Sequence, residues 1–473
     1  MATATKPQII AMLVASAIIM QQIDATGITT ALPQMAVSFG TDPVRLSIAV
    51  TAYLLSLAVF IPISGWVADR FGGRTVFRLA IGLFTLGSIF CGISDNVVEL
   101  TLARVLQGFG GSMMVPVGRL VLFRSVERSE LVRTLAYLQV PAQLGPVLGP
   151  LVGGTITTYF SWRWMFWVNV PLGIIGMILV TWLFPNPKEE KQRPLDWIGF
   201  LLTGVSLSCL MFAVQTAGRG GPELTYSALA GGSGLLLGFL AIRHLKRTAA
   251  PILDLSIFRI PTFQVSIAAG TFFRAGAGSL VFLLPILFQV VFGMSAFASG
   301  VLTFATAAGA MTMKATARPI LKRFGFRGVL IGNGLISTLS VVMCTFFTEA
   351  MPAIVTFVLL LIAGFFQSLQ FTSTQALSYA EVENEQMSTA TSIASMAQQL
   401  SRGFGIAITA GILHMALAWR GESVVSLFDL QLALAGASLL VFLSLLFALP
   451  LPADAAAEVS GHRPRRARTA EAD

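Results

Sequence analysis

The stretch GWVADRFGGR, residues Gly65–Arg74, lies between two apolar runs, Leu46–Ser64 and Val76–Ile93. Each run is close to the ~20 residues that a helix needs to cross a hydrocarbon layer of about 30 Å. The acidic and basic side chains between them cannot lie in lipid, so a tight, charged hairpin is predicted at a membrane face. The glycines let the two helix ends approach closely, and the aspartate can cap a neighbouring helix N-terminus.

The composition indicates an integral membrane protein. Of the 473 residues, 55% are hydrophobic and 11% are charged, whereas soluble chains carry about 25% charged residues. The net charge of +9 comes from short loops between apolar runs, which argues against nucleic acid as a partner. The three cysteines lie inside apolar runs and suggest core packing rather than a metal or disulfide framework. The first apolar run lacks a small-residue cleavage site and is predicted to be a retained span.

Fourteen apolar segments have spanning length and predict an all-α membrane protein with two six-helix bundles and two extra central helices. They lie at about 8–33, 44–64, 76–94, 97–122, 133–156, 163–184, 197–215, 224–242, 262–290, 295–316, 326–347, 352–376, 388–416 and 427–450. The predicted domains are an N-terminal bundle (1–184), a linker with two extra transmembrane helices (185–261), a C-terminal bundle (262–452) and a disordered cytoplasmic tail (453–473). Lys and Arg concentrate in alternate loops, which predicts that both termini are cytoplasmic.

An internal repeat links the two bundles. Placing GWVADRFGGRTVF over RPILKRFGFRGVL, residues Arg318–Leu330, aligns the RFG-x-R core of both copies, and each copy follows the second span of its bundle. Two related halves around a central site would produce this pattern. The second copy lacks the first glycine and the aspartate, so the loop-locking device is predicted only in the N-terminal half.

The hairpin resembles the G-x-x-x-D-R-x-G-x-R loop signature of the major facilitator superfamily. The matching residues, expected to form a conformational-switch loop, are Gly65, Asp69, Arg70, Gly72 and Arg74. The fourth span contains LARVLQGFGG, residues Leu102–Gly111, which resembles the R-x-x-Q-G motif of the superfamily. A guanidinium in hydrocarbon costs at least ~2.5–3.5 kcal/mol. Arg104 is therefore expected to face a polar cavity or a carboxylate, unless it snorkels to the outer face. The glycines of this span follow no strand, which argues against a dinucleotide-binding loop.

The fifth span reads QLGPVLGPLVGG, residues Gln143–Gly154. Its glycines permit close helix contact, and its prolines kink the helix. The run resembles the antiporter signature G-x-x-x-G-P-x-x-G-G, which is associated with exporters in this superfamily; generic small-residue packing is the alternative. The matching residues are Gly145, Pro146, Gly149, Pro150, Gly153 and Gly154.

The first span carries QQIDATGITTALP, residues Gln21–Pro33, in which Asp24 is the one carboxylate deep in any span. At 1.5 Å per residue it lies roughly 24 Å above the inner face. A desolvated aspartate can load and release a proton as its surroundings change, so Asp24 and Arg104 are the proposed proton-coupling residues. A purely structural aspartate is the alternative. The stretch is similar to the D-x-T…A-L-P signature of the fourteen-span drug/proton antiporters of the EmrB/QacA type.

Three further runs, LFTLGSIFC, MMVPVGRL and WVNVPLGIIG, bring the resemblance nearest to the MdtD-like branch of that family. Membership implies proton-driven export of small molecules by alternating access, with no cofactor, in the bacterial inner membrane. A monomer embedded in the lipid bilayer is expected. No catalytic or metal-ligand spacing supports an enzyme. A channel would not explain the repeated hairpin or the single deep acid.

The substrate class stays open between a broad multidrug exporter and an exporter of organic anions such as carboxylates. Arg274 and Arg402 lie roughly 18 Å and 21 Å into their spans. With Arg104 they give three positive charges against Asp24 alone, and the missing negative charge could come from a bound anion or from helix carbonyls. The remaining predicted cavity residues, each of which could instead hold helices together, are Gln21, Gln22, Gln139, Gln143, Gln289, Gln370 and Gln399.

Overall fold

The computed structural model describes residues 6–125, 144–184, 194–217, 221–249, 251–383, 386–422, 424–452 and 454–460, and these ranges contain helices and no strand. Helices suit a bilayer because each satisfies its own backbone hydrogen bonds. They are α1 (Lys6–Phe39), α2 (Ser47–Phe60), α3 (Ser64–Phe71), α4 (Gly73–Ile93), α5 (Val97–Ser125), α6 (Leu144–Tyr159), α7 (Asn169–Leu183), α8 (Trp197–Ala217), α9 (Gly221–Leu245), α10 (Pro261–Ile286), α11 (Ala296–Cys344), α12 (Ala353–Leu377), α13 (Met387–Arg420) and α14 (Leu427–Ala448).

The helices confirm the predicted all-α membrane architecture. Within the described ranges, 13 helical segments are long and apolar enough to cross a membrane, two of them in α11. The fifth predicted span, 133–156, is described only from residue 144, where α6 begins. The cytoplasmic position of the termini stays a prediction.

The chain forms two compact units. Unit 1 comprises residues 1–213, 226–252 and 294–301, and therefore holds α1–α7, most of α8 and α9, and the first residues of α11. Unit 2 comprises residues 214–225, 253–293 and 302–473, and therefore holds α10, most of α11, and α12–α14. The predicted domain boundaries stay a prediction.

Both copies of the repeated hairpin share an unusual backbone conformation. Gly72, between α3 and α4, has a φ of 89°, and its aligned partner Gly325, at a kink inside α11, has a φ of 68°. Only glycine adopts this left-handed region without strain. Close helix approach occurs at Gly73, where a Cβ atom would lie 2.5 Å from Val121. It does not occur at Gly65, which has open space around it, so the packing reason expected for that glycine was wrong.

A carboxylate fixes the start of α8 to the end of α9. The Oδ1 atom of Asp196 lies 2.7 Å from Nε2 of His244 and accepts the N–H of Gly199 at 2.8 Å. Its Oδ2 atom accepts the N–H of Ile252 at 3.3 Å. Burial opposes ionisation of Asp196, but these hydrogen bonds and the charge of His244 outweigh it and hold the pKa of Asp196 below its ordinary value of 3.8.

Candidate functional site

The interior of unit 1 contains an ion pair between α1 and α5. The Nη1 atom of Arg104 lies 2.5 Å from Oδ2 of Asp24, and the two residues are 0% and 2% exposed. Because each charge compensates the other, both can be buried. The expectation that Arg104 meets a carboxylate is confirmed, and the alternative of a snorkelling Arg104 is wrong.

Two amides complete the environment of the carboxylate. Gln107 of α5 donates from Nε2 to Oδ1 of Asp24 at 2.9 Å, and Asn169 at the start of α7 donates from Nδ2 to the same oxygen at 3.1 Å. Both amides also reach the hydroxyl of Ser88 in α4, at 2.8 Å and 3.2 Å. Asp24 therefore accepts hydrogen bonds from three side chains, and four helices meet at this point.

The guanidinium of Arg104 is held on two sides. Its Nη1 atom also donates to Oε1 of Gln107 at 2.5 Å, whereas its Nε and Nη2 atoms are buried without a hydrogen-bond partner. The Cζ atom lies 4.0 Å from the ring centroid of Tyr53 in α2, so a cation–π contact replaces those hydrogen bonds. A loss of charge on Asp24 would leave the arginine with only neutral partners.

Sequence reasoning found Asp24 and Arg104 but missed the residues around them. Gln107 was part of the R-x-x-Q-G motif, and its i+3 spacing places it on the same face of α5 as Arg104. Asn169 lay in one of the runs that carried the family resemblance. Ser88 also lay in one of these runs, LFTLGSIFC, but its role was not recognised. Tyr53 gave no signal, because single polar atoms in apolar helices are common.

The predicted antiporter motif packs against α1 next to Asp24. A Cβ atom on Gly149 would overlap the side chain of Thr26, and one on Gly153 would lie 2.5 Å from the carbonyl oxygen of Gly27. Gly145 likewise faces the stem of Gln22. The glycines therefore bring the backbones of α6 and α1 into direct contact.

An adjacent face of α6 contacts the first residues of α11, which belong to the same unit. A Cβ atom on Gly154 would lie 2.5 Å from the carbonyl oxygen of Ala296, and one on Gly300 would lie 2.5 Å from that of Pro150. Pro146 lies in α6. The motif thus packs closely against two helices, α1 and α11.

Comparison with known proteins identifies the family. A family model described as Major Facilitator Superfamily matches residues 14–406. The chain belongs to the major facilitator superfamily. Two relatives within it carry the name multidrug resistance protein MdtD. The one from Citrobacter koseri is 39% identical over 411 residues, with 85% of each chain covered. The one from Salmonella heidelberg is 37% identical over 407 residues, covering 85% of this chain and 86% of the relative.

Solved structures of superfamily transporters share the fold. An auto-inhibited peptide transporter of the POT family has a TM-score of 0.70 at 13% identity, covering 94% of this chain and 97% of its own. A D-xylose–proton symporter has a TM-score of 0.64 at 16% identity, covering 93% and 96%. The chain is thus a multi-pass membrane transporter of small molecules, of the multidrug-efflux type and the MdtD-like branch, and not an enzyme.

The superfamily loop is joined to the first extra helix. The guanidinium of Arg70 lies over the ring of Trp66 at 5.5 Å, and Trp66 makes an edge contact with Trp197 of α8 at 6.3 Å between centroids. Asp69 and Arg74 are half-buried beside them. The first extra helix, α8, therefore packs against the predicted switch loop.

The predicted cavity glutamines occupy different environments. Gln21 is buried and donates to the carbonyl of Gly111 at 3.3 Å. Both ends of Gln370 join helices, since it donates to the carbonyl of Leu330 and accepts from Asn333. Half-buried positions are occupied by Gln22, Gln289 and Gln399. Outside the described residues lie Gln139 and Gln143.

Proposed function

We propose that the protein is a proton-coupled antiporter that exports small molecules across the bacterial inner membrane by alternating access. It acts as a monomer, has both termini in the cytoplasm and needs no cofactor, because the proton gradient supplies the energy. The observation that supports this proposal most strongly is the buried Asp24–Arg104 pair with its two amide donors.

The coupling follows from the charge balance of that pair. While Asp24 is ionised, its negative charge compensates the cost of burying the charge of Arg104. The cluster of Asp24, Arg104, Gln107 and Asn169 is then stable. A proton on Asp24 removes this compensation but leaves Arg104 charged, because a guanidinium does not lose its proton in proteins. The protonated cluster therefore favours an arrangement in which Arg104 reaches water or another acceptor, so proton binding and conformation are linked.

The antiporter motif transmits this change. Since the backbones of α1 and α6 touch through Gly149 and Gly153, no layer of flexible side chains can absorb a shift between them. A displacement of Asp24 with α1 therefore moves α6 as well. The loop around Asp69 is proposed to set the balance between the inward-open and outward-open states.

A transport assay with purified protein in liposomes tests the proposal. The vesicles contain a trapped pH-sensitive dye, and tetraphenylphosphonium or succinate is added as substrate. We expect substrate uptake to release protons from the lumen with the wild-type protein and with the control Asp42→Asn, whose exposed ion pair with Arg45 lies outside the site. Asp24→Asn should lose this release but retain downhill substrate exchange. Proton release that persists unchanged in Asp24→Asn would exclude Asp24 as the carrier.

A further inference from the structure

Unit 2 contains two arginines in its spans that have no counter-charge. Arg274 of α10 is 6% exposed, and its Nε atom is buried without a hydrogen-bond partner. Arg402 of α13 is half-buried. Within the described part of the chain, neither side chain forms an ion pair or a hydrogen bond. This contrasts with Arg104 of unit 1, which is paired with Asp24.

The fold brings these two positive charges together. The stem of Arg402 packs on Gly278, with Cγ 3.2 Å from where a Cβ atom would lie. Gly278 lies one turn after Arg274, on the same face of α10. One turn beyond Arg402, Gly405 packs directly on the backbone of Ala275. Arg402 therefore lies on the face of α13 that packs against the turn of α10 after Arg274.

Three acids of unit 2 are engaged elsewhere. Asp429 accepts from Arg420 at 2.6 Å and 2.9 Å and caps the start of α14. Glu381 accepts from the hydroxyl of Thr262 at 2.8 Å, and Asp254 caps a short turn before α10. None of the described acids contacts Arg274 or Arg402, and no described carbonyl accepts from them. Helix carbonyls, the second source of negative charge that the sequence left open, are therefore not used.

The chain also leaves room for a guanidinium at this point. The Nη2 atom of Arg274 lies over Gly270, 2.5 Å from where a Cβ atom would be. Any larger residue at position 270 would push the guanidinium away. Gln399 lies three residues before Arg402 on the same face of α13, and its Oε1 atom is also buried without a partner. Unsatisfied polar groups thus gather on the facing sides of α10 and α13.

We infer that Arg274 and Arg402 form a binding site for a small organic dianion, with dicarboxylates as the ligand class. Two planar guanidinium groups match two carboxylates, because each pair can form parallel charge-assisted hydrogen bonds. A dianion also neutralises both buried charges at once. The assignment of this site to the transported substrate rests on the proposed export function.

Binding to the full-length protein in detergent tests the inference without any proton gradient. Titration calorimetry and thermal shift are measured with succinate, with the neutral analogue succinamide and with tetraphenylphosphonium. We expect succinate to bind the wild-type protein and to raise its melting temperature, and we expect succinamide to do neither. Arg274→Met and Arg402→Met should each lower the affinity for succinate at least about tenfold, because each removes charge-assisted hydrogen bonds. The control Arg259→Ala removes an exposed charge of the same unit and should bind succinate normally.

A second variant keeps the charge and moves it. Gly270→Ala displaces the guanidinium of Arg274 and should weaken the binding of succinate while leaving the binding of tetraphenylphosphonium unaffected. This test holds whether or not the Met variants fold. The inference is overturned if the wild-type protein does not bind succinate or if the variants bind succinate as tightly as the wild type. It is also overturned if the variants lose equal affinity for succinate and for tetraphenylphosphonium. This assay measures binding and needs no transport. If succinate binding depends on the two arginines but the proton-release experiment fails, only the export mechanism is rejected.

Discussion

Replacing both members of the Asp24–Arg104 pair should destabilise the protein less than replacing Asp24 alone. Asp24→Asn preserves the shape of the side chain but leaves Arg104, which is 0% exposed, without a counter-charge. Breaking a buried pair in this way costs roughly 3–5 kcal/mol. Arg104→Gln should cost less, because Asp24 can then become neutral by binding a proton, whereas arginine cannot lose one. In the double variant neither charge of the pair is buried. Its loss of stability should therefore be about 1–3 kcal/mol smaller than the sum of the two single losses, and this difference is the coupling energy.

The apparent melting temperature of the four purified proteins measures this cycle. Unfolding of a large membrane protein is commonly irreversible, so the order of the melting temperatures carries the result rather than a free energy. We expect wild type to melt highest, followed by the double variant and Arg104→Gln, with Asp24→Asn lowest. The same proteins in liposomes should all lack proton-coupled exchange except the wild type.

A particular outcome would refute this reasoning. If the double variant melts below Asp24→Asn, the two side chains contribute independently and the pair is not the compensating unit that the geometry suggests. The coupling proposal would then lose its physical basis, because protonation of Asp24 would no longer disturb Arg104.

Three further predictions concern packing, backbone and pH. Gly153→Ala places a Cβ atom 2.5 Å from a backbone oxygen and should destabilise the fold by ~1–3 kcal/mol. The melting temperature of this variant should fall below that of the wild type, whereas the control Gly232→Ala, which has open space around it, should melt like the wild type. Gly325→Ala forces a φ of 68° on a residue with a side chain, which costs about 1–2 kcal/mol, and should also melt lower than that control. The pKa of Asp196 lies below 3.8, so its stabilising effect is present above pH 3.8 and is lost as the pH falls through the folded-state value. Asp196→Asn should therefore melt below wild type at pH 7, and the difference should shrink below pH 3.8; a difference that is constant with pH would contradict this.

The helices and the repeat could be predicted from the sequence because they depend on local properties. Apolar length determines where a span can lie, and the aligned Gly72 and Gly325 share a positive φ because the same short motif makes the same turn. The contacts of the Asp24–Arg104 pair depend on how five helices rotate about their axes. Helix rise gives the depth of a residue but not the direction in which it faces. The roles of Tyr53 and Ser88 could not be predicted for that reason, whereas Arg104 was found because it matches a motif and because a buried guanidinium demands a partner.

The two units differ in charge, and this difference predicts how transport responds to voltage. Unit 1 buries a compensated pair, whereas Arg274 and Arg402 leave unit 2 with two uncompensated cations. If one proton enters for each dianion that leaves, three positive charges move inward per cycle, and a potential of 100 mV contributes ~7 kcal/mol at ~2.3 kcal/mol per charge. Exchange of one proton for a monovalent cation moves no net charge. In vesicles given a potassium gradient and valinomycin, a lumen-positive potential should therefore accelerate succinate accumulation strongly and leave tetraphenylphosphonium exchange nearly unchanged. If the rate of succinate accumulation does not depend on the potential, the two arginines do not bind the transported substrate as a dianion.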